Sequence, residues 1–206
     1  MMRIQLTKAG KRYNRDWIFK NADITFIAGE TYAITGPNGS GKSTLLQILA
    51  GSVALSSGTI EWQHLATNID TENIYASLSI AAPYVEVIEE MTALEFLHFH
   101  FKFKPCLKEV TLKEILSIVG LENAVSKQIR HYSSGMKQRI KLAQAIFSDV
   151  PLLLLDEPCT NLDQKGYELY HNLIATFAKN KTVIVSSNDV NEYAFCKHVT
   201  NIMDFK

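Results

Sequence analysis

Apolar residues in this chain gather in short runs with two rhythms. RIQLT (3–7), DITFIA (23–28), TYAIT (31–35) and GTIEW (58–62) have the alternation or density of strands, and IYASLSIAA (74–82) reads as another. PLLLLDEP (151–158) and TVIVSS (182–187) are denser still and suit strands buried on both faces of a parallel sheet. From about residue 92 to 148 the spacing turns helical. Thr92 and Glu95 are spaced as a capping box, and LKEVTLKEILSIVG (107–120) closes on Gly120 as a helix stop. KSTLLQILA (42–50) comes after a glycine-rich loop as a further helix, and helical spacing recurs between and after the last two strands. Strand and helix in alternation predict an α/β fold with a mostly parallel sheet flanked by helices. The block at about 85–145 reads as a helical lobe inserted into it.

In such sheets ligands bind beyond the carboxyl ends of the strands, so the residues just past each apolar run are the candidates for a site. After TYAIT comes GPNGSGKST, with Gly36, Gly41, Lys42 and Ser43 in the G-x-x-x-x-G-K-[ST] spacing of a P-loop NTPase. Glycines let backbone N–H groups ring a phosphate, and the helix starting near Lys42 adds its positive end. The binding segment comprises Gly36, Pro37, Asn38, Gly39, Ser40, Gly41, Lys42, Ser43 and Thr44. Lys42 reaches the β- and γ-phosphates and Ser43 holds Mg²⁺. After LLLL come Asp156, placed to serve the Mg²⁺, and Glu157, placed to polarise an attacking water. After TVIVSS comes Asn188, which either looks into the site or caps the helix beginning near Val190.

Composition narrows the setting. Of 206 residues, 47% are hydrophobic and 20% charged, enough for a core and against disorder. Twenty-one basic residues balance twenty-one acidic ones, so no nucleic-acid partner is expected. Cys106, Cys159 and Cys196 form neither a metal pattern nor a disulfide framework and suit a reducing cytoplasm. No stretch reaches ~18 consecutive apolar residues, and MMRIQLTKAGKR lacks a signal-peptide core. The chain ends soon after its last motif and reads as minimal. KRYNR (11–15) is a short basic cluster that suits a solvated turn. FLHFHFKFK (96–104) suits a helical core with an exposed aromatic edge; His98 and His100 lack the nearby acids or cysteines of a metal site.

HYSSGMKQRIKLAQAIFSD (131–149) opens with small polar residues ahead of a long helix, a second anion-binding helix start that one nucleotide does not need. Alone it is a serine-capped helix. Standing between the phosphate loop and LLLLDEP, YSSGM-KQR resembles the signature motif of ATP-binding cassette (ABC) ATPases. From Tyr13 to about residue 200 the chain is similar to the nucleotide-binding subunit of an ABC transporter. The resemblance implies one domain, with a core of 1–84 and 146–206, an N-terminal antiparallel β portion and the helical subdomain at about 85–145. It implies ATP and Mg²⁺ as cofactors and an aromatic on the adenine, at Tyr13 with Trp17 as rival. Ser133, Ser134 and Gly135 are implied to complete the site of the opposite subunit in a head-to-tail dimer. TNLD (160–163) resembles the dimer-contact loop, with Asp163 as its key residue, although Asp163 also suits a helix cap.

Three of the motifs depart from the family's pattern. Ser134 and Met136 stand where the signature has a second glycine and a glutamine. The glutamine that in the family touches Mg²⁺ and the attacking water falls at Pro83 or Ala82, and proline stiffens that loop. Asn188 occupies the place of a histidine and offers an N–H₂ donor without a proton shuttle or positive charge. The expectation is an ATP-hydrolysing subunit with slow turnover, paired as homodimer or heterodimer with a second ABC subunit. It would drive a separate integral-membrane permease from the cytoplasmic face, whose helix docks near the aromatic edge at 96–104. The rivals are a nucleotide-gated subunit with negligible turnover and a soluble ABC ATPase outside transport. The cargo and the direction of transport lie in the membrane partner.

Overall fold

A computed structural model describes residues 2–206. Its strands are β1 (Met2–Tyr13), β2 (Asp16–Phe26), β3 (Thr31–Thr35), β4 (Ser57–His64), β5 (Thr67–Ile69), β6 (Leu78–Ala81), β7 (Leu152–Asp156), β8 (Thr182–Ser186) and β9 (His198–Asn201). Its α-helices are α1 (Lys42–Leu49), α2 (Ala93–His100), α3 (Leu112–Ile118), α4 (Ser134–Ile146), α5 (Gln164–Phe177) and α6 (Val190–Tyr193).

One sheet is antiparallel, in the order β2-β1-β4-β5, and the other parallel, in the order β6-β7-β8-β3-β9. In β1 the inward set Met2, Ile4 and Leu6 alternates with Arg3, Gln5 and Thr7, the period of a strand with one buried face. β7 and β8 are buried along their whole length. Leu152, Leu154, Ile184 and Ile34 face α1 and the antiparallel sheet. Leu153, Leu155, Val183 and Val185 face the other way, against residues of α2 to α5. The helices between β6 and β7 thus share the core of the sheet rather than enclosing one of their own.

Buried polar groups fasten these layers. The Trp62 indole donates to the Leu49 carbonyl at 3.0 Å, joining the antiparallel sheet to the end of α1. The Ser79 hydroxyl donates to the Ala145 carbonyl at 2.7 Å, joining β6 to α4. The Lys181 ammonium donates to the Ile146 carbonyl at 2.6 Å and to that of Ser148, where the C-terminal end of α4 favours a cation. Burial pulls its pKa down to about 8.

Several boundaries differ from those the pattern predicts. The run 74–82 divides: Ile74–Ser77 is a 3₁₀ turn and only β6 is strand. The helix expected over 107–120 is α3 alone, because a second capping box, Thr111 with Glu114, starts it at Leu112. Gly120 does come after it, at φ 70°. α2 stops at His100, so FLHFHFKFK is helical only in its first half. The apolar pattern does not predict β9, which is short, mostly exposed and carries His, Thr and Asn.

Candidate functional site

The phosphate loop joins β3 to α1 inside the fold. Gly36, Gly39 and Gly41 adopt φ of 144°, 75° and 106°, the left-handed side that glycine tolerates. At Gly41 the approach is also close, since a Cβ there would sit 2.2 Å from Ile18 Cγ2. The Lys42 side chain is buried and curls over the loop, its ammonium donating to the carbonyls of Gly36 at 2.9 Å and Pro37 at 3.3 Å. A cavity of about 220 Å³ is lined by Ile18, Asn38, Gly39, Gly41, Lys42, Ser43, Thr44 and Glu157. Sequence reading missed Ile18, whose role comes from contact with Gly41 across the fold.

The acidic strand end meets this cavity. Asp156 is 2% exposed and its Oδ1 has no hydrogen-bond partner among the described residues; neither has the buried Ser40 hydroxyl in the loop itself. Buried polar atoms are normally satisfied. An orphaned carboxylate oxygen at a strand end whose next residue, Glu157, lines the cavity with Lys42 and the glycine cradle fits a cation and a phosphate chain, so these residues fit MgATP. Glu157 sits at φ 44°, a conformation costly for a residue with a Cβ. Three hydrogen bonds hold the chain there. Glu157 N–H donates to the Ser186 carbonyl at 2.9 Å, the Gln138 amide of α4 donates to the Pro158 carbonyl at 2.7 Å, and Cys159 N–H donates to Glu192 Oε1 at 2.7 Å. Glu192 is buried in α6, and burial raises its pKa. Neither Gln138 nor Glu192 announces this role in the sequence.

Asn188 lies past the end of β8, and its Nδ2 donates to Asn38 Oδ1 at 3.0 Å. It is not the cap of α6: Asp189 caps that helix, accepting from Asn191 N–H at 2.9 Å. The capping alternative for Asn188 is thereby corrected.

Ser133, Ser134 and Gly135 stand elsewhere, at the start of α4. Ser133 is the cap, accepting from Met136 N–H at 3.3 Å. With Met136, Arg139, Asn161, Leu162 and Asp163 they line a second cavity of about 320 Å³. Gly135 backs closely on the Asn161 carbonyl, which a Cβ would approach to 3.1 Å. Asp163 caps α5, accepting from Gly166 N–H at 2.9 Å, while its exposed carboxylate lies 3.9 Å from Arg139. The two cavities have no lining residue in common.

Tyr13 and Trp17 flank the tip of the β1–β2 hairpin, where Asn14 and Arg15 form the turn and the rest of KRYNR belongs to β1, and both are exposed. The Lys11 ammonium stands 4.9 Å from the Tyr13 ring centre and the Arg12 guanidinium 5.8 Å from that of Trp17. Neither aromatic lines the phosphate-loop cavity. His100 is not placed as a metal ligand; its Nε2 pairs with the Ser148 hydroxyl at 3.0 Å.

A glycine loop between a parallel strand and a helix, with an acidic strand end beside it, defines a P-loop NTPase. The family model for ABC transporters matches residues 19–160. The lantibiotic transport ATP-binding protein SrtF of Streptococcus pyogenes is 31% identical over all of this chain and 86% of its own. The cytochrome c biogenesis ATP-binding export protein CcmA of Vibrio cholerae is 30% identical over 86% of each. Among solved structures, dimeric MJ0796, a bacterial ABC transporter cassette, superposes with a TM-score of 0.80 at 26% identity, covering 96% of this chain and 93% of that one. The chain belongs to the ABC transporter family, as an ATP-binding subunit. No helix among the described residues is long and apolar enough to cross a membrane.

Proposed function

We propose that this chain binds and slowly hydrolyses MgATP, closes head to tail with a second ABC subunit, identical or related, and so drives a separate transmembrane permease. The observation that carries this reading is the presence on one chain of two half-sites, at the phosphate loop and at Ser133–Gly135, with no residue in common. Each half then serves a different nucleotide. The names of SrtF and CcmA, a lantibiotic transport and an export protein, support a transport role.

Bound there, Mg²⁺ neutralises phosphate charge. The residues do the rest. Lys42 exchanges its bonds to Gly36 and Pro37 for phosphate oxygens. Ser43 and the unsatisfied Asp156 oxygen hold the cation. Glu157, held at the cavity wall, accepts a proton from the attacking water. Asn188 donates to the γ-phosphate but shuttles no proton. Tyr13 stacks on adenine. From the second copy, Ser133, Ser134 and Gly135 cover the phosphates, with Asp163 at the contact. Hydrolysis then reopens the pair.

The test is nucleotide binding and oligomeric state. Wild type should retain ATP with Mg²⁺ and dimerise; Lys42→Ala should do neither, and Glu157→Gln should accumulate as a dimer because binding survives while hydrolysis fails. ATP retention indifferent to Lys42→Ala refutes the reading. Dimerisation with undetectable phosphate release from wild type favours a nucleotide-gated subunit instead.

A further inference from the structure

α5 lays two tyrosines along α6. Tyr167 and Tyr170 stand three residues apart and so share one face of the helix, the face that also carries the buried Ile174. Each hydroxyl reaches a different acceptor in the segment after β8. Tyr167 donates to Asp189 Oδ2 at 2.8 Å, and Tyr170 donates to the Glu192 carbonyl at 2.9 Å. α5 is fixed in turn at its start. There Asp163 accepts from Gly166 N–H through its side chain and from Tyr167 N–H, at 3.0 Å, through its carbonyl.

Asn188 lies between these anchors and the sheet. It is exposed, so packing does not orient it. Its neighbours do. On one side Ser187 is buried, and its N–H donates to the Ile34 carbonyl of β3 at 3.1 Å. On the other, Asp189 N–H donates to Ser187 Oγ at 2.9 Å, and the Asp189 carboxylate divides its oxygens: Oδ1 caps α6 and Oδ2 takes the Tyr167 hydroxyl. Bonds from Asn191 N–H and from Tyr167 hold the Asp189 carboxyl below its ordinary range, so the acceptor is charged. A charge-assisted bond from a packed helix thus fixes the residue next to Asn188.

We propose that Tyr167 is a positioning residue of the nucleotide site: through Asp189 it aims the Asn188 amide at the γ-phosphate. This rests on the MgATP reading above. Tyr167 itself touches no nucleotide. It borders a polar cavity of about 200 Å³ that Asp189 also lines, so a carboxylate released from the phenol meets water, and Tyr167→Phe should fold.

The test is competition of ATP and of ADP, each with Mg²⁺, against a fluorescent analogue, for wild type, Tyr167→Phe, Asn188→Ala and the double variant. Only the γ-phosphate distinguishes the two ligands, so their affinity ratio reads the Asn188 contact without requiring turnover. Tyr167→Phe should cut the preference for ATP about tenfold, the scale of one hydrogen bond to a charged group, while ADP affinity holds. In the Asn188→Ala background the same change should cut it no further. An undiminished preference in Tyr167→Phe overturns the proposal. So does an equal loss for both nucleotides, which marks a packing role, or a loss that adds in full to that of Asn188→Ala. Those outcomes leave the MgATP reading standing; a wild type that binds neither nucleotide overturns both.

Discussion

The side-chain amide of Asn188 reaches across from β8 to the phosphate loop and donates to the Asn38 side chain at 3.0 Å. An amide nitrogen carries two hydrogens. One is committed to Asn38, and the other remains for a phosphate in the cavity that Asn38 lines. Asn188→Ala should therefore lower steady-state ATPase by about 10²-fold, the scale of one preorganised donor. Asn188→His restores a group able to carry charge and proton and should raise the rate about tenfold, ~1.4 kcal/mol. Phosphate-release kinetics decide the point; a histidine variant no faster than a wild type that already turns over quickly would refute slow turnover.

Glu157 is held at φ 44° by hydrogen bonds at Glu157, Pro158 and Cys159. A glycine adopts that conformation without strain. Glu157→Gly should raise unfolding stability by ~1 kcal/mol, less glycine's own entropy cost, while abolishing turnover. Chemical denaturation with a parallel ATPase assay reads both; a destabilised variant would show that the carboxylate, not the backbone, governs local stability.

The Ser148 hydroxyl donates to the Gln144 carbonyl at 2.6 Å, so it accepts from His100, which must carry its proton on Nε2. Burial, aided by the Lys104 charge, holds the pKa of His100 down to about 4, against 6.5 ordinarily. Between those values the unfolded chain binds more protons than the folded one, so stability rises with pH across the window and falls as pH drops from 6.5 towards 4. His100→Gln should flatten this acid limb. Thermal melts near neutrality and at two mildly acidic pH values inside that window test it, and a variant losing as much as wild type on acidification excludes His100 as the cause.

Phe99 and Phe103 are 40% and 70% exposed and meet edge to face, ring centres 5.1 Å apart, beside the helical block. Apolar rings left in water at one place suit a partner's helix. Phe99→Asp should weaken co-purification with the permease while leaving nucleotide binding intact. Undiminished capture of the permease would place the docking surface elsewhere.

Much that depends on neighbours along the chain was legible in the sequence, although the capping box of Thr111 with Glu114 went unread. TYAIT is β3 to the residue, Thr92 and Glu95 form their capping box, and the glycine loop sits between strand and helix as its spacing requires. What depends on distant contact was not. Glu192 acquires its role from Cys159, 33 residues away in the chain, and Gln138 from Pro158, 20 away. Ile18 matters because Gly41 folds against it. β9 lacks an apolar signal, since it pairs only with β3 at the sheet edge and its side chains are mostly exposed.

Gly41 combines two separable demands, and a double variant can separate them. Its φ of 106° penalises any Cβ, and the space a Cβ would enter is filled by Ile18 Cγ2 at 2.2 Å. Gly41→Ala should then destabilise the fold by about 3 kcal/mol, strain and overlap together, and abolish nucleotide binding. Adding Ile18→Ala opens the space but cannot change φ. The double variant should recover only the overlap share, about half, once the loss from Ile18→Ala alone is subtracted. Denaturant melts of the two single variants and the double give that coupling. Zero coupling would mean that the loop shifts away from Ile18 and that backbone strain alone excludes a side chain at Gly41.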